Sequence, residues 1–480
     1  MRSWFRNVEM PHVFTLLVYV ILFCSLLTYF IPSGSYERET KEVGGLTRNV
    51  VQPGTFQPIE KHISVKGLII GDEAEGKASP VSLLGFLSSI PRGMQEAADI
   101  IFFIFIIGGA LGVIQRTGTI VAVLQKMVEK FRKSDALLTI IIMIVIAVGG
   151  STLGMGEEFI PLVPIFLLIS KQMGYDRIYG LAMVLIAAEI GFAAATTNPF
   201  TVNIAQGIAE LPLNSEIGFR VVFLAVCLAI AIPYTLRYGR RIKKDPSKSI
   251  MPQDDFDLSH LEIKKESLTK RHVYIIIATV AIFALILTAV QTLGWWMNEM
   301  SGGFFLMGIV AWMISDLKLK EAMEAFVKGM EEMVVAALVV GFARGIEVVL
   351  SDGQILDSLI YGAANLLRDF HNVFAAWGML IFQGTLNFFI PSGSGQAAVT
   401  MPLMAPLADV LGLSRQTAVF AFTCGDGFSN SIIPTSGVLM AMLSLAGIPL
   451  QKWWRFMLPL FGLLILASAV FLAISVYVHV

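Results

Sequence analysis

The sequence predicts an all-α polytopic membrane protein, with about nine transmembrane helices and two re-entrant hairpins arranged as two inverted repeats. Three observations predict it. Of the 480 residues, 55% are hydrophobic and only 15% charged, outside the range of soluble domains. Apolar runs such as "VFTLLVYVILFCSLLTYFI" and "IIFFIFIIGGALGVI" recur along the chain, and a helix needs roughly 20 such residues to cross a bilayer. Four apolar regions are interrupted by small and hydroxylated residues, in matching order in the two halves.

The first run, residues 11–31, is longer than a signal-peptide core and ends in "IPSGSYER" without a small-x-small cleavage pattern; it reads as a helix. A polar segment, 32–80, follows it. Further spans are expected near 97–115, 178–209, 218–237, 272–291, 301–316, 330–350, 414–446 and 453–478. Two stretches remain, 134–172 and 372–412, cut by "GGSTLGMG" and "IPSGSGQ" into arms of about half-membrane length. They read as hairpins, because irregular backbone at membrane depth is tolerated where it is buried in protein or faces water.

The expected division is 1–80 (first helix and polar segment), 81–240 (first repeat, with hairpin 134–172 and broken helix 178–209), 241–318 (linker and two connecting helices) and 319–480 (second repeat, with hairpin 372–412 and broken helix 414–446). Amphipathic segments 117–133 and 354–370 read as interfacial arms.

Charge placement sets the orientation. Loop 237–271 carries ten Lys and Arg; with Arg2, Arg6, the segment Arg116 to Lys133, Lys452 and Arg455 it belongs in the cytoplasm by the positive-inside rule. The amino terminus is then cytoplasmic, the carboxyl terminus external, and the chain a multi-pass protein of a cell (inner) membrane, in contact with lipid. A net charge of -1 and no basic stripe with interleaved aromatics give no expectation of nucleic acid. Cys24, Cys227 and Cys424 lie in apolar runs, as packing residues rather than a disulfide or metal framework. The six His, at 12, 62, 260, 272, 371 and 479, form no ligand or nucleophile–base cluster, so neither an enzyme nor a cofactor is expected.

An internal duplication is visible. Gly93, Met94 and Glu96 align with Gly329, Met330 and Glu332, 236 positions later. "PLVPIFLLISKQMGYDR" (161–177) matches "PLMAPLADVLGLSR" (402–415), and "ATTNPFTVNIA...LPL" matches "SNSIIPTSGVLM...IPL". In the charge-based tracing the two copies are inverted, the arrangement of transporters whose site lies at the repeat interface.

An unsatisfied backbone group in a bilayer costs several kcal/mol, so each interruption must offer its freed groups to something. The four are the tips "GGSTLG" and "PSGSG" and the breaks "ATTNP" and "SNSIIPTSG". Carbonyls there, with the side-chain oxygens of Ser151, Thr196, Thr197, Asn198, Ser394, Ser429 and Asn430, make candidate Na⁺ sites. The candidate solute ligands are Ser151, Thr152, Glu157, Glu158, Asn198, Ser392, Ser394, Asp426, Asn430 and Thr435. Any one hydroxyl also reads as an interhelical hydrogen bond.

These breaks, the two small-residue hairpins and the opening "MPHVFTLLVYVILFCSLLTYFIPSGSYER" resemble the YfcC-type branch of the anaerobic C4-dicarboxylate carrier family, within the ion transporter superfamily. The resemblance covers nearly the whole chain. It implies a homodimer, with a scaffold part and a mobile transport part that carries its site by an elevator-like displacement. Better-known relatives carry Ser-Asn-Thr triplets at the tips; this chain has Ser151-Thr152-Leu153 and Ser392-Gly393-Ser394.

Ionisable groups at membrane depth mark a pathway or a partner. Glu157, Glu158, Glu189 and Asp426 fall near the breaks, so the region is acidic. A dicarboxylate would be repelled there, whereas a solute bearing an amine fits. The expected function is a secondary transporter of a small amino-acid-like solute, such as arginine or ornithine, working by exchange or coupled to Na⁺ or H⁺. A cation-coupled C4-dicarboxylate carrier and an ion channel are the alternatives. Glu157 and Glu158 also read as helix-start residues, and Arg344 with Glu347 as a structural ion pair.

Overall fold

The computed structural model describes residues 13–43, 46–123, 126, 134–251, 268–367 and 372–478. Arg2, Arg6, His12, His260, His371, His479, most of 117–133, the middle of loop 237–271 and the end of 354–370 lie outside the described residues.

In lipid no water takes up free N–H and C=O groups, so apolar segments close their own hydrogen bonds as helices. They are α1 (Val13–Phe30), α2 (Val65–Ile69), α3 (Leu83–Glu96), α4 (Ala98–Arg116), α5 (Asp135–Leu153), α6 (Val163–Gln172), α7 (Arg177–Ala193), α8 (Val202–Ile208), α9 (Ile217–Lys244) and α10 (Lys270–Leu293). The chain continues through α11 (Met297–Ile314), α12 (Leu319–Glu332), α13 (Val334–Asp352), α14 (Leu356–Leu367), α15 (Asn372–Leu386), α16 (Gly393–Val410), α17 (Arg415–Asn430), α18 (Gly437–Ala446) and α19 (Leu450–Val478). Among the described residues eight are long and apolar enough to cross a membrane: α1, α4, α5, α9, α10, α11, α13 and α19. The protein is a multi-pass membrane protein.

Two expectations need correction. The half-length first arm of hairpin 134–172 is instead α5, which runs 19 residues through Gly149 and Gly150. Those glycines do not break the helix; Gly150 lets it approach a neighbour, since a Cβ there would sit 2.8 Å from the carbonyl oxygen of Ala188 in α7. The helix stops at Gly154, whose φ of 69° is left-handed, a conformation glycine adopts without a side-chain penalty.

Spans 178–209 and 414–446 are each two short helices, of 17 and 7 residues and of 16 and 10. Neither is continuous across a bilayer. The polar segment contains strands: β1 (Ser33–Ser35) pairs antiparallel with β4 (Gln57–Ile59), and β2 (Arg38–Val43) with β3 (Leu46–Val51). Two short runs containing Thr and Val on either side of Gly44-Gly45 were the available hairpin signal.

The strand segment is fastened to the second half. Ser33 donates to the carbonyl of Gly353 at 2.9 Å, Asp357 accepts from the Tyr36 amide and from Arg38 at 2.8 and 2.7 Å, and Phe56 stacks on Tyr361 with ring centroids 4.1 Å apart.

Contacts between the halves are reciprocal. Gly93 of α3 packs on the backbone of Gly345 in α13, and Gly329 of α12 packs on Gly109 in α4; 93 and 329, like 109 and 345, differ by 236. The Gly150–Gly191 contact recurs as Gly384–Gly425, 234 positions on. Ala193 touches Gly427, again 234 apart. A residue that meets its own counterpart lies on a two-fold axis.

Helices α7 and α17 sit at the centre, buried along nearly their whole length, as expected of helices packed on all sides. They run antiparallel. Arg177, at the start of α7, donates to the carbonyls of Ala446 and Gly447 at the end of α18, at 3.2 and 3.1 Å. Arg415, at the start of α17, donates to the carbonyl of Ala209 after α8, at 2.9 Å.

Candidate functional site

Each tip lies against the break of its own half. At the first, the Ser151 carbonyl accepts from the amides of Thr196 and Thr197 at 2.9 and 3.2 Å. The Ser151 hydroxyl lies 3.0 Å from both the Ala194 carbonyl and the Thr196 hydroxyl, and Thr197 donates to the Thr152 carbonyl at 3.1 Å. The hydroxyl of Thr152 turns back to the Val148 carbonyl at 2.7 Å. Asn198 accepts from the Phe200 amide at 2.8 Å; its Nδ2 is buried and makes no hydrogen bond. Ser151, Thr196, Thr197 and Asn198 do come together, and most of their oxygens are engaged in holding tip to break.

At the second, Asn387 does that work. Its Nδ2 lies 2.8 Å from the Asp426 carbonyl, the Ser429 hydroxyl and Asn430 Oδ1. Sequence reasoning missed this residue, an isolated amide in "GTLNFFIPSG". Ser392 caps α16, its hydroxyl accepting from the Gly395 amide at 3.3 Å.

The breaks leave carbonyls inside the protein, and polar side chains from outside the breaks meet them. Trp453 donates to the Ser431 carbonyl at 2.9 Å and Trp454 to that of Ile432 at 2.8 Å. Arg220, buried to 2% exposure, holds Nη1 3.4 Å from the Ala195 carbonyl and from the Thr423 hydroxyl. The sequence places Arg344 as the one arginine in the middle of a span; Arg220 is a second at depth, disguised by its position near a helix start.

Between the tips lies a cavity of ≈ 360 Å³, within the range of about 300–1,000 Å³ usual for small-molecule sites. Of the expected solute ligands, Glu157, Glu158, Ser392, Ser394 and Asn430 line it; Ser151, Thr152, Asn198, Asp426 and Thr435 do not. Of the candidate Na⁺ ligands, Ser394 and Asn430 line it and Ser151, Thr196, Thr197, Asn198 and Ser429 stand behind it. Asp426 is 1% exposed, both carboxylate oxygens make no hydrogen bond, and Oδ2 lies beside the tip residue Gly393. Thr435 is fully buried, its hydroxyl also unpartnered.

The wall adds residues absent from the expected set: Glu189 and Phe192 of α7, Arg344 and Glu347 of α13, and Phe200 with Trp296, whose rings meet edge-on at 4.6 Å. Arg344 and Glu347 form the ion pair their spacing predicts, and both face the cavity. Glu158 accepts from the Gly156 amide at 2.8 Å, so the helix-start role falls on it.

The two halves line the cavity unequally. The first contributes three carboxylates, Glu157, Glu158 and Glu189; the second contributes the paired Arg344 and Glu347 and the amino ends of α16 (Gly393 to Gly395) and α18 (Ser436 to Val438). Unpaired amides at a helix start carry partial positive charge and attract anions. The cavity thus offers both carboxylates and helix starts.

The family model described as C4-dicarboxylate anaerobic carrier matches residues 10–477. The chain is 33% identical to "Putative basic amino acid antiporter YfcC" of Escherichia coli (strain K12), over 97% of this chain and 96% of that protein. It is 29% identical to an uncharacterized protein of Haemophilus influenzae (strain ATCC 51907 / DSM 11121 / KW20 / Rd), over 99% and 98%. Among solved structures it is similar to the Alcanivorax borkumensis YdaH transporter (TM-score 0.45, 17% identity, 98% of this chain and 99% of that one). It is also similar to Neisseria gonorrhoeae MtrF, described as illuminating a class of antimetabolite efflux pumps (TM-score 0.44, 16% identity, 99% and 97%).

Proposed function

We propose, from the premise that this chain belongs to the C4-dicarboxylate anaerobic carrier family, that it is a secondary active transporter of a small amino acid with a cationic side chain, such as arginine or ornithine. The observation that carries the substrate is the polarity of the cavity. A carboxylate fits the amino ends of α16 and α18, and an amine or guanidinium fits Glu157, Glu158 and Glu189.

In this reading the halves 81–240 and 319–480 are inverted repeats, which the reciprocal glycine contacts and the antiparallel α7 and α17 support. Hairpins and broken helices form the mobile part of a homodimer in a cell inner membrane, and the helices of the α3–α4 and α12–α13 pairs form its scaffold. Transport proceeds by alternating access, by exchange or with a cation bound where the oxygens of Ser151, Thr196, Thr197 and Asn198, or of Ser394, Ser429 and Asn430, converge. The first relative's description as an antiporter of basic amino acids favours exchange.

The test is counterflow in proteoliposomes. Vesicles preloaded with arginine should take up labelled arginine saturably, with or without Na⁺, and Glu189→Gln should lower the rate about tenfold or more. Exchange of succinate with no exchange of arginine would overturn the substrate and favour a C4-dicarboxylate, for which the family description and the two electropositive helix ends speak. Sustained single-channel current would overturn the carrier itself.

A further inference from the structure

Arg344 is the only Lys or Arg among the described residues lining the cavity, against Glu157, Glu158, Glu189 and Glu347. Its side chain is 24% exposed and that of its partner Glu347 is 28%, so the pair faces the cavity instead of being sealed in the helix bundle. Glu157 and Arg344 line the same cavity. The helix starts of the second half line the same cavity, with Gly437 packed on Val340 of α13, and already offer a place for an anion.

This sets a problem for an empty carrier. Uncompensated carboxylates at membrane depth are costly, and even an exchanger stands unloaded each time one solute has left and the next has not yet bound. We propose that Arg344 is a tethered cation: with no solute bound, its guanidinium serves the carboxylates of the cavity, and with solute bound it yields Glu157 to the solute's cationic group and keeps Glu347. The inference rests on the substrate reading given above. It assigns Arg344 to competition with the solute, where a carboxylate receptor would cooperate with it. Glu347 is then a positioning residue that holds the guanidinium aside.

The two roles predict opposite signs. In equilibrium binding to the purified full-length protein, Arg344→Gln should bind arginine, and its decarboxylated analogue agmatine, about fivefold or more tightly than wild type. Glu347→Gln, which leaves Arg344 no second partner, should bind both more weakly. Arg344→Lys should stay near wild type. Weaker arginine binding by Arg344→Gln with agmatine unchanged would make Arg344 a carboxylate receptor and overturn the proposal; no change in either variant would overturn it too.

A second readout does not need the substrate reading to hold. Millimolar methylguanidinium should raise the melting temperature of substrate-free Arg344→Gln by several degrees, with less effect on wild type and Arg344→Lys. Equal shifts in all three would overturn the tethered cation. Wild-type protein that binds no basic amino acid, alongside selective rescue by methylguanidinium, would overturn the substrate and leave the tether standing.

Discussion

Asp72, outside the membrane spans, is held by Ser64 at 2.7 Å, His62 at 3.2 Å and Lys66 at 3.3 Å, and these hydrogen bonds, that of Ser64 first, lower its carboxyl to about 2. Since the folded value lies below the unfolded one, the contribution to stability is complete above pH about 4 and is lost as the pH falls through about 2. Hydrogen-exchange protection of residues 62–72, corrected for intrinsic rates, should therefore hold from neutral pH down to about 4 and drop below 3; Asp72→Asn should abolish that step. Single residues were unevenly legible in the sequence. Glu157 and Glu158 stand out because adjacent carboxylates in an apolar run have few structural uses. Arg344 was visible, but pairing with Glu347 gave it a sufficient structural explanation, and only the cavity adds another. Arg220 and Asn387 could not be read at all, because what makes them matter is a carbonyl or a helix break distant in sequence and adjacent only after folding.

The broken helices are the elements on which the site depends, and their ends need partners. Trp453 is fully buried, and its indole N–H meets the Ser431 carbonyl. Trp453→Phe keeps most of the packing but strips that carbonyl of its donor, so it should cost about 1–3 kcal/mol in unfolding measured in detergent, while Trp454→Phe, at a half-buried position, should cost less. The breaks themselves were legible because Pro199 and Pro434 stand among clustered hydroxyl and amide residues; Pro91, Pro233, Pro402, Pro406 and Pro459 lie inside continuous helices, so proline alone does not mark a break. Glycine misled at the first tip. Gly149 and Gly150 read as an interruption, yet a glycine in a membrane helix serves equally to bring two backbones together, and the sequence of one helix does not contain its neighbour.

For the whole molecule, the reciprocal contacts make a quantitative demand. Gly93→Ala and Gly329→Ala put equivalent methyl groups into equivalent backbone crossings, so each should destabilise by about 1–3 kcal/mol and the two should agree within about 1 kcal/mol. A large difference in their chemical-denaturation midpoints would argue against a two-fold relation between the halves. The duplication was legible from aligned landmarks, whereas the strand segment between α1 and α3 has no counterpart in the second half to compare it with. Its fastening has a bearing on how the protein is made. Ser33, Tyr36 and Arg38 leave the ribosome some 320 residues ahead of Gly353 and Asp357, which they bind, and domains generally form from the amino-terminal end during synthesis. The strand segment, paired within itself, must therefore wait for these partners until α14 is made, and its closure onto α14 can precede the synthesis of α15 to α19.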